Sequence, residues 1–288
     1  MDIDVSLVRR LLTVQFPHWS KLELTTVDEG GWDNCSFRLG PDKLVRLPSA
    51  ECYAAQVVKE QVWLPRLSPH LPLPIPEPLA LGEPGEGYPW QWSVYRWLEG
   101  APASKTRIAD VVEFAGDVAR FLVHLRQAPT ANGPPPDTGN FHRGGSLRIY
   151  DAEVRVALRR IGDRAGAAQE VWDQALECAW RGPPVWLHGD MAPGNLLVRD
   201  GCLAAVIDFG LAAVGDPACD LVLAWTFFDG VAREVFREQV GLDTEFWVRA
   251  RGWALWKALI TLAGEPGPDG VEAAGAVLQA VLDDHRAG

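Results

Sequence analysis

Three polar side chains in the second half of the chain have the types and spacing that phosphoryl transfer needs. Asp190 and Asn195 stand in the stretch H-G-D-M-A-P-G-N, with four residues between them, and Asp208 follows in V-I-D-F-G. Phosphoryl transfer requires a carboxylate that orients the attacking hydroxyl group and accepts its proton, together with oxygen ligands for magnesium on the nucleotide phosphates. A single Asp or Asn after a strand is usually a turn residue or a helix cap. All three at this spacing favour a catalytic site.

These motifs resemble the catalytic loop and metal-binding motif of the kinase-like phosphotransferases, in particular the aminoglycoside and macrolide phosphotransferases. Protein kinases usually have H-R-D at this point, whereas the branch that phosphorylates small molecules has H-G-D, then Asn, then I-D-F or I-D-W. The resemblance implies that Asp190 is the catalytic base and that His188 braces the loop. It also implies that Asn195 and Asp208 are ligands of Mg²⁺.

A third block, G-D-P-A-C-D-L from Gly215 to Leu221, is similar to the G-D-P-x-x-D-L of the same families. We expect Pro217 to open a helix and Asp220 to accept backbone N–H bonds from the catalytic loop. This block is therefore interpreted as scaffold.

The N-terminal third contains a candidate phosphate clamp. Strand-like residues run from Lys43 to Pro48, and alternation places Leu44 and Arg46 on one face. By resemblance, Arg46 occupies the position where most kinases have lysine, and macrolide-type relatives also have arginine there. Arginine binds phosphate oxygens in a forked geometry instead of acting as a point charge. The alternative is a solvent-exposed arginine on a strand.

A helix is predicted from Glu51 to Leu67, because apolar residues recur there at helical spacing. Within it, Glu60 resembles the helix glutamate that pairs with the strand cation. Glu51 is the competing candidate for that pair.

Two further segments complete the predicted nucleotide site. The segment from Glu29 to Phe37 resembles the phosphate-covering loop of the family, which assigns Gly31 and Asn34 to nucleotide binding, although adjacent glycines more often mark a turn. A predicted strand from Gln91 to Arg96 runs into a segment that resembles the hinge between kinase lobes. Tyr95 and Trp97 are assigned to the nucleotide there, with a place in the core as the alternative.

The elements that must position these residues predict an α+β, protein-kinase-like fold with two lobes. The N-terminal nucleotide-binding lobe would comprise residues 1–97, with antiparallel strands and one main helix. The C-terminal catalytic and acceptor-binding lobe would comprise residues 98–288, with helices predicted over Ile108–Gln127, Asp151–Ile161, Ala167–Trp180 and a set between Asp220 and His285. Trp and Phe residues of that last set belong to the core or, alternatively, line an acceptor pocket.

Composition bounds the class of protein. A chain of 288 residues that is 48% hydrophobic suffices for two lobes around a cleft. Its five cysteines show no paired spacing, and no apolar run approaches the ~20 residues of a membrane span. We therefore expect a cytoplasmic protein without a membrane partner. The formal charge of -11 disfavours a nucleic-acid partner and suits cationic acceptors, although many proteins are acidic for solubility alone.

The function that these expectations favour is transfer of the γ-phosphoryl group of ATP or GTP to a hydroxyl group of a small molecule, of the aminoglycoside or macrolide type. A metabolic kinase of a sugar, choline or an amino alcohol is the alternative within this class. A nucleotide-binding pseudokinase is the rival that the arginine at position 46 favours. A metal-dependent phosphoesterase is disfavoured, because no second histidine or dense carboxylate cluster accompanies the motifs.

Overall fold

The computed structural model describes residues 2–27, 33–264 and 270–287 of the chain. Gly31, which the sequence assigned to the phosphate-covering loop, lies outside the described residues.

A five-stranded antiparallel sheet occupies the first part of the described chain. Its strands and flanking helices are α1 (Val5–Gln15), β1 (Leu24–Thr26), β2 (Asn34–Leu39), β3 (Lys43–Pro48), α2 (Glu51–Leu67), β4 (Pro78–Gly82) and β5 (Trp92–Arg96). The strand order is β1-β2-β3-β5-β4, so β3 is the central strand. The predicted strand and helix at β3 and α2 are confirmed with their bounds, and the strand predicted from Gln91 begins one residue later.

Local sequence explains how Arg46 reaches the middle of this sheet. Gly40 turns the chain between β2 and β3 with a φ of +60°, a conformation that glycine adopts at little cost. The resulting register pairs Arg46 with Ser36 of β2 on one side and with Ser93 of β5 on the other. Hydrogen bonding on both edges of β3 therefore fixes the backbone that carries the arginine.

Helices dominate the second part of the described chain. Its elements are β6 (Ala101–Pro102), α3 (Val111–Gln127), α4 (Asp151–Leu158), α5 (Ala165–Glu177), β7 (Val185–Leu187), β8 (Leu196–Arg199), β9 (Cys202–Val206), β10 (Ala213–Gly215), α6 (Leu223–Thr226), α7 (Gly230–Val240), α8 (Thr244–Leu262) and α9 (Gly270–Ala287). Strands β6, β8 and β9 form one small sheet, and β7 pairs with β10. Among the helices of the described ranges, none is long and apolar enough to cross a membrane.

Three predicted helices of this part are present with shifted ends. Ile108–Gln127 is observed as Val111–Gln127, Asp151–Ile161 as Asp151–Leu158, and Ala167–Trp180 as Ala165–Glu177. Asp110 explains the first shift, because its carboxylate accepts the N–H groups of Val112 and Glu113 and so begins the helix.

The buried apolar residues form two clusters. The smaller cluster packs α1 against the sheet and includes Leu11, Trp92 and Val94. The larger cluster fills the helical part, and it also takes in Leu64 of α2 and Tyr95 of β5. Because α2 and β5 contribute to the core of the helical part, the sheet part is anchored on it. The lobe boundary at residue 97 stays a prediction.

A buried ion pair fastens the segment after β10 to α8. Arg249 Nε donates to Asp216 Oδ2 at 2.7 Å, and the two side chains are 5% and 8% exposed. Asp216 also caps the Pro217–Val222 3₁₀ helix by accepting the N–H of Ala218. Loss of the Asp216 carboxylate would leave the charged guanidinium of Arg249 buried without its partner.

We therefore expect Asp216→Ala to lower the free energy of unfolding by about 3–5 kcal/mol, the usual cost of breaking a buried pair. The matched control is Asp283→Ala, which breaks an exposed pair with Arg286 and should change stability little. Urea unfolding of the two variants and the parent chain measures the difference. Equal losses in both variants would show that burial of the Asp216 pair has no special weight.

Candidate functional site

A cluster of charged side chains joins the central strand of the sheet to the predicted metal-binding motif. Arg46 Nη2 lies 3.0 Å from Asp208 Oδ1, and Arg46 Nη1 lies 3.7 Å from Glu60 Oε1. The hydroxyl group of Tyr95 donates to the other carboxylate oxygen of Glu60. The side chain of Arg46 is 13% exposed, so the alternative of a solvent-exposed strand arginine does not hold. Glu51, the competing partner, lies exposed at the start of α2.

The charges of this cluster are set by burial and by Arg46. Burial raises the pKa of Asp208, but the charge and hydrogen bond of Arg46 outweigh it and hold the pKa of that carboxyl below its usual range. Burial raises the pKa of Glu60 and prevails over the opposing effects of Arg46 and Tyr95. Asp208 is therefore an ionised carboxylate at neutral pH, although the surrounding protein leaves only 26% of its side chain exposed.

The buried carboxylate of Asp220 anchors the backbone of the catalytic loop. Asp220 Oδ2 accepts the backbone N–H of His188 at 2.6 Å, and Asp220 Oδ1 accepts that of Gly189 at 2.8 Å. The predicted role of Asp220 as a backbone acceptor for this loop is thus confirmed, and Pro217 opens its 3₁₀ helix as expected. A carboxylate that accepts two N–H groups fixes both peptide planes.

His188 fixes the same loop from its ring. Its Nδ1 accepts the backbone N–H of Asp190 at 3.2 Å, and its Nε2 lies 3.0 Å from the carbonyl oxygen of Ile207. This arrangement fits the neutral tautomer with the proton on Nε2. The ring is fully buried and lies edge-on to Phe209. His188 therefore links the loop of Asp190 to the segment that carries Asp208.

Glycine is required between His188 and Asp190. Gly189 has a φ of +85°, and a Cβ built there would lie 2.5 Å from the carbonyl oxygen of Leu211. A larger residue would have to displace either the catalytic loop or the segment after Asp208. The close approach of these two segments explains the H-G-D form of the motif.

Asp190 and Asn195 face each other at the cleft. The Asn195 side-chain amide donates to the backbone oxygen of Asp190 at 2.9 Å and to its carboxylate at 3.1 Å. Asp190 is exposed to the cleft on one side, yet the surrounding protein removes enough water to raise the pKa of its carboxyl, and the charge of Asp208 raises it further. A backbone hydrogen bond from Ile207 N to Asn195 O, 2.9 Å long, places Asn195 beside the segment of Asp208.

The donor set at this point suits a magnesium ion that enters with a nucleotide. The described residues contain no group of three or more His, Cys, Asp or Glu side chains that could hold a metal alone. Mg²⁺ usually takes one or two protein ligands and fills its other positions with water and phosphate oxygens. Asn195 and Asp208 offer such a pair, since within the described ranges no donor contacts the amide oxygen of Asn195.

Asp33 and Tyr53 belong to the cleft, and the sequence prediction missed both. The hydroxyl group of Tyr53 lies close enough to Asp33 to lower the pKa of its carboxyl, and Asp33 raises the pKa of the Tyr53 hydroxyl in turn. Burial raises the pKa of Asp33 to about 6, with further contributions from the charges of Asp208 and Asp190. Asp33 therefore lies within electrostatic reach of both acids. Asp33 could have been found from the sequence, because it stands next to Asn34 in the segment that resembles the phosphate-covering loop. No sequence motif pointed to Tyr53.

The remaining assigned nucleotide residues are less directly engaged. Asn34 begins β2 opposite Pro48. The backbone N–H of Trp97 donates to the carbonyl oxygen of Asp42 at 2.8 Å. The guanidinium of Arg38 lies 3.8 Å from the centre of the Trp97 ring. Tyr95 is buried and acts on Glu60, so its side chain supports the cluster of Arg46.

Most of the C-terminal aromatic residues are core. Those that are at most 6% exposed are Trp225, Phe228, Phe236, Phe246, Trp253 and Trp256. Phe227 and Trp247 are partly buried and pack against the same cluster. The core alternative is therefore correct for most of these rings, and the acceptor side of the cleft must be sought elsewhere.

The model of the phosphotransferase enzyme family matches residues 25–259 of the chain. No curated protein sequence gives a significant match. Among solved structures, the chain is similar to the GDP and kanamycin complex of the aminoglycoside phosphotransferase APH(2″)-IIIa, with 18% identity, a TM-score of 0.72, and coverage of 96% of this chain and 98% of that chain.

Two other solved structures show the same likeness. The apoenzyme of macrolide 2′-phosphotransferase MphH from Brachybacterium faecium is 23% identical, with a TM-score of 0.63 and coverage of 93% of this chain and 97% of that chain. The ternary complex of a thermostable mutant of aminoglycoside phosphotransferase APH(4)-Ia with AMP-PNP and hygromycin B is 18% identical, with a TM-score of 0.66 and coverage of 98% and 99%. The predicted two-lobed α+β fold is confirmed by these likenesses.

The buried carboxylate under the catalytic loop gives a test of the site geometry. We expect Asp220→Asn to loosen the loop, because an amide NH₂ would face one of the two N–H groups that the carboxylate now accepts. Loss of one such bond should speed amide hydrogen exchange at His188 and Gly189 by about 10- to 100-fold. Mass-spectrometric exchange of the peptide that contains both residues measures it, with the exposed Asp163→Asn as control. Unchanged exchange would show that Asp220 does not hold the loop.

Proposed function

The chain belongs to the phosphotransferase enzyme family, and on this basis we propose that it transfers the γ-phosphoryl group of ATP or GTP to a hydroxyl group of a small molecule. The observation that carries the proposal is the meeting of Arg46, Asp208 and Glu60, which come from the central strand, from the loop after β9 and from α2. The predicted catalytic loop adjoins the same cleft. Surface charges far apart in sequence have no structural reason to converge in this way.

Asp190 is proposed as the residue that acts on the acceptor. Its carboxylate faces the cleft, and the Asn195 amide and His188 fix its loop. A carboxylate so placed orients the attacking hydroxyl group and accepts its proton as the new bond to phosphorus forms. The raised pKa of Asp190 makes it a better proton acceptor than a fully solvated aspartate.

Asn195 and Asp208 are proposed to hold Mg²⁺ on the nucleotide phosphates. When bound there, the ion would neutralise charge on the phosphate oxygens and orient the γ-phosphoryl group. The negative charge of the cleft supports the need for a cation on the nucleotide phosphates. The charges of Asp190 and Asp208 both act on Asp33, and a polyphosphate without its cation would be repelled by these three carboxylates.

Arg46 is proposed to contact the phosphates in place of the usual lysine. Its guanidinium is held between Glu60 and Asp208. With a metal ion on Asp208, one arm of the guanidinium would be available to a phosphate oxygen, while the other arm would stay beside Glu60, which Tyr95 holds in place. The sheet part, residues 1–97, would thus supply the nucleotide clamp, and residues 98–288 the catalytic and acceptor groups.

The proposed acceptor is an antibiotic of the aminoglycoside or macrolide type. Support comes from the fold shared with phosphotransferases that bind kanamycin and hygromycin B and with a macrolide 2′-phosphotransferase. The acidic cleft also favours acceptors that carry amines.

Release of nucleoside diphosphate tests the proposal. Each of ATP and GTP would be supplied with Mg²⁺ and, in turn, with kanamycin, gentamicin, streptomycin, hygromycin B, a macrolide, and the metabolites choline and glucose. We expect diphosphate release that depends on at least one of the antibiotics. Release only with the metabolites would favour a metabolic kinase. Nucleotide binding without release in any case would favour a pseudokinase.

The role of Asp190 is tested with the same acceptor. We expect Asp190→Asn to lower kcat by about 10²-fold or more, because the proton acceptor is lost, and to leave the Kd for nucleotide nearly unchanged. The control is Asp200→Asn, at an exposed turn position with a φ of 55° that asparagine tolerates well. Near-full turnover by Asp190→Asn would mean that another group is the base.

A further inference from the structure

Phe141 is presented to solvent by a strained backbone. Its side chain is 39% exposed, and both Phe141 and the next residue, His142, have left-handed backbone conformations, with φ of 50° and 55°. Residues other than glycine rarely adopt this conformation, and two in succession require a surrounding structure that enforces it. Such strain at an exposed aromatic residue points to a role for the ring.

A set of hydrogen bonds holds the backbone of Phe141 and His142 in this conformation. Asp137 and Asn140 form a reciprocal capping box around the Thr138–Asn140 3₁₀ turn. The hydroxyl group of Tyr150 donates to the carbonyl oxygen of Phe141. The Asn140 side chain, 2% exposed, donates to the carbonyl oxygens of Arg143 at 2.9 Å and of Leu211 at 3.2 Å. The ring is thus carried on a rigid turn that is fastened to the segment after Asp208.

The same contacts locate Phe141 at the catalytic cleft. The carbonyl oxygen of Leu211, which Asn140 contacts, is also the group against which Gly189 packs, one residue before Asp190. On the opposite side, the ring of Phe141 lies 6.2 Å from the ring of Tyr53, at the start of α2. The Tyr53 hydroxyl lies near Asp33 and lowers the pKa of its carboxyl, while the charge of Asp190 raises it. Phe141, Tyr53 and Asp33 therefore border the space in front of the proposed base.

We propose that Phe141, Tyr53 and Asp33 form a subsite for the acceptor, in which the two rings and the carboxylate hold an ammonium group of the acceptor next to the hydroxyl that is phosphorylated. The inference rests on the proposed function and assigns specificity to residues that the catalytic motifs do not include. Phe141 and Tyr53 are specificity-determining residues in this scheme, and Asp33 supplies the negative charge beside them.

The chemistry of the three side chains fits this ligand. The faces of aromatic rings carry partial negative charge and attract cations, most strongly where water is excluded. A carboxylate beside them supplies the full counter-charge that an ammonium group needs when it leaves water. The cations near Asp190 and Asp208 already have partners, because Arg46 pairs with Asp208 and the guanidinium of Arg143, whose charge acts on Asp190, lies 4.4 Å from the centre of the Trp256 ring. A neutral hydroxyl compound would gain much less from the subsite.

The test uses the acceptor from the diphosphate-release panel with the highest turnover, and an analogue of it whose amines are acetylated or replaced by hydroxyl groups. KM for both acceptors and Kd for the nucleotide would be measured for Phe141→Leu, Tyr53→Phe and Asp33→Asn. We expect KM for the amine-bearing acceptor to rise about tenfold in Phe141→Leu and in Asp33→Asn, and less in Tyr53→Phe, which keeps the ring. KM for the uncharged analogue should already be high in the parent chain and should change less than twofold.

Two surface variants serve as controls, Ile149→Ala for an exposed apolar side chain and Glu23→Gln for an exposed carboxylate of the sheet part. Both should leave all constants at the parent values. Equal effects of Phe141→Leu on the amine and on its uncharged analogue would overturn the ammonium subsite while leaving the proposed function intact. A change in nucleotide Kd without a change in acceptor KM would also overturn it. Absence of turnover with every acceptor would overturn the proposed function, and this inference with it.

Discussion

One ion pair, between Arg46 and Asp208, sets the conditions for the rest of the cleft. It connects the central strand of the sheet to the segment that would hold the metal ion, across a distance of 3.0 Å. Without the guanidinium, burial would favour the protonated form of Asp208, which cannot bind a cation. Glu60 and Tyr95 in turn keep the guanidinium in place. Arg46, a residue of the sheet part, thus keeps Asp208 of the helical part ionised.

Buried carboxylates and one glycine fix the remaining geometry. Asp220 holds two N–H groups of the catalytic loop, and the buried Asp216–Arg249 pair fastens the adjoining 3₁₀ helix to α8. Gly189 allows the loop to approach Leu211, whose carbonyl oxygen also anchors the turn of Phe141. Direct hydrogen bonds and close packing therefore connect the catalytic loop, the segment of Asp208 and the proposed acceptor turn. A substitution at any of these scaffold residues should disturb all three.

The sequence allowed prediction of those parts whose function depends on spacing along the chain. The catalytic loop, the strand of Arg46 and the helix of Glu60 follow from local patterns, and so does the anchoring role of Asp220. Residues that act through tertiary contact were missed. Tyr53 and Phe141 meet across the cleft without any shared motif, and the strained backbone of Phe141 depends on hydrogen bonds from Asn140 and Tyr150. The packing of the C-terminal tryptophans was likewise ambiguous, since helical spacing does not tell core from pocket.

The most direct test of this account is a titration of Mg²⁺ against the binding of a fluorescent ATP or GTP analogue, with the parent chain, Asp208→Ala and the surface control Asp200→Asn. If Arg46 keeps Asp208 charged so that it can hold the metal ion, nucleotide affinity in the parent chain and in the control should rise with Mg²⁺. In Asp208→Ala, we expect that rise to be lost, because the proposed metal ligand is gone. The same dependence on Mg²⁺ in Asp208→Ala as in the parent chain would contradict the account.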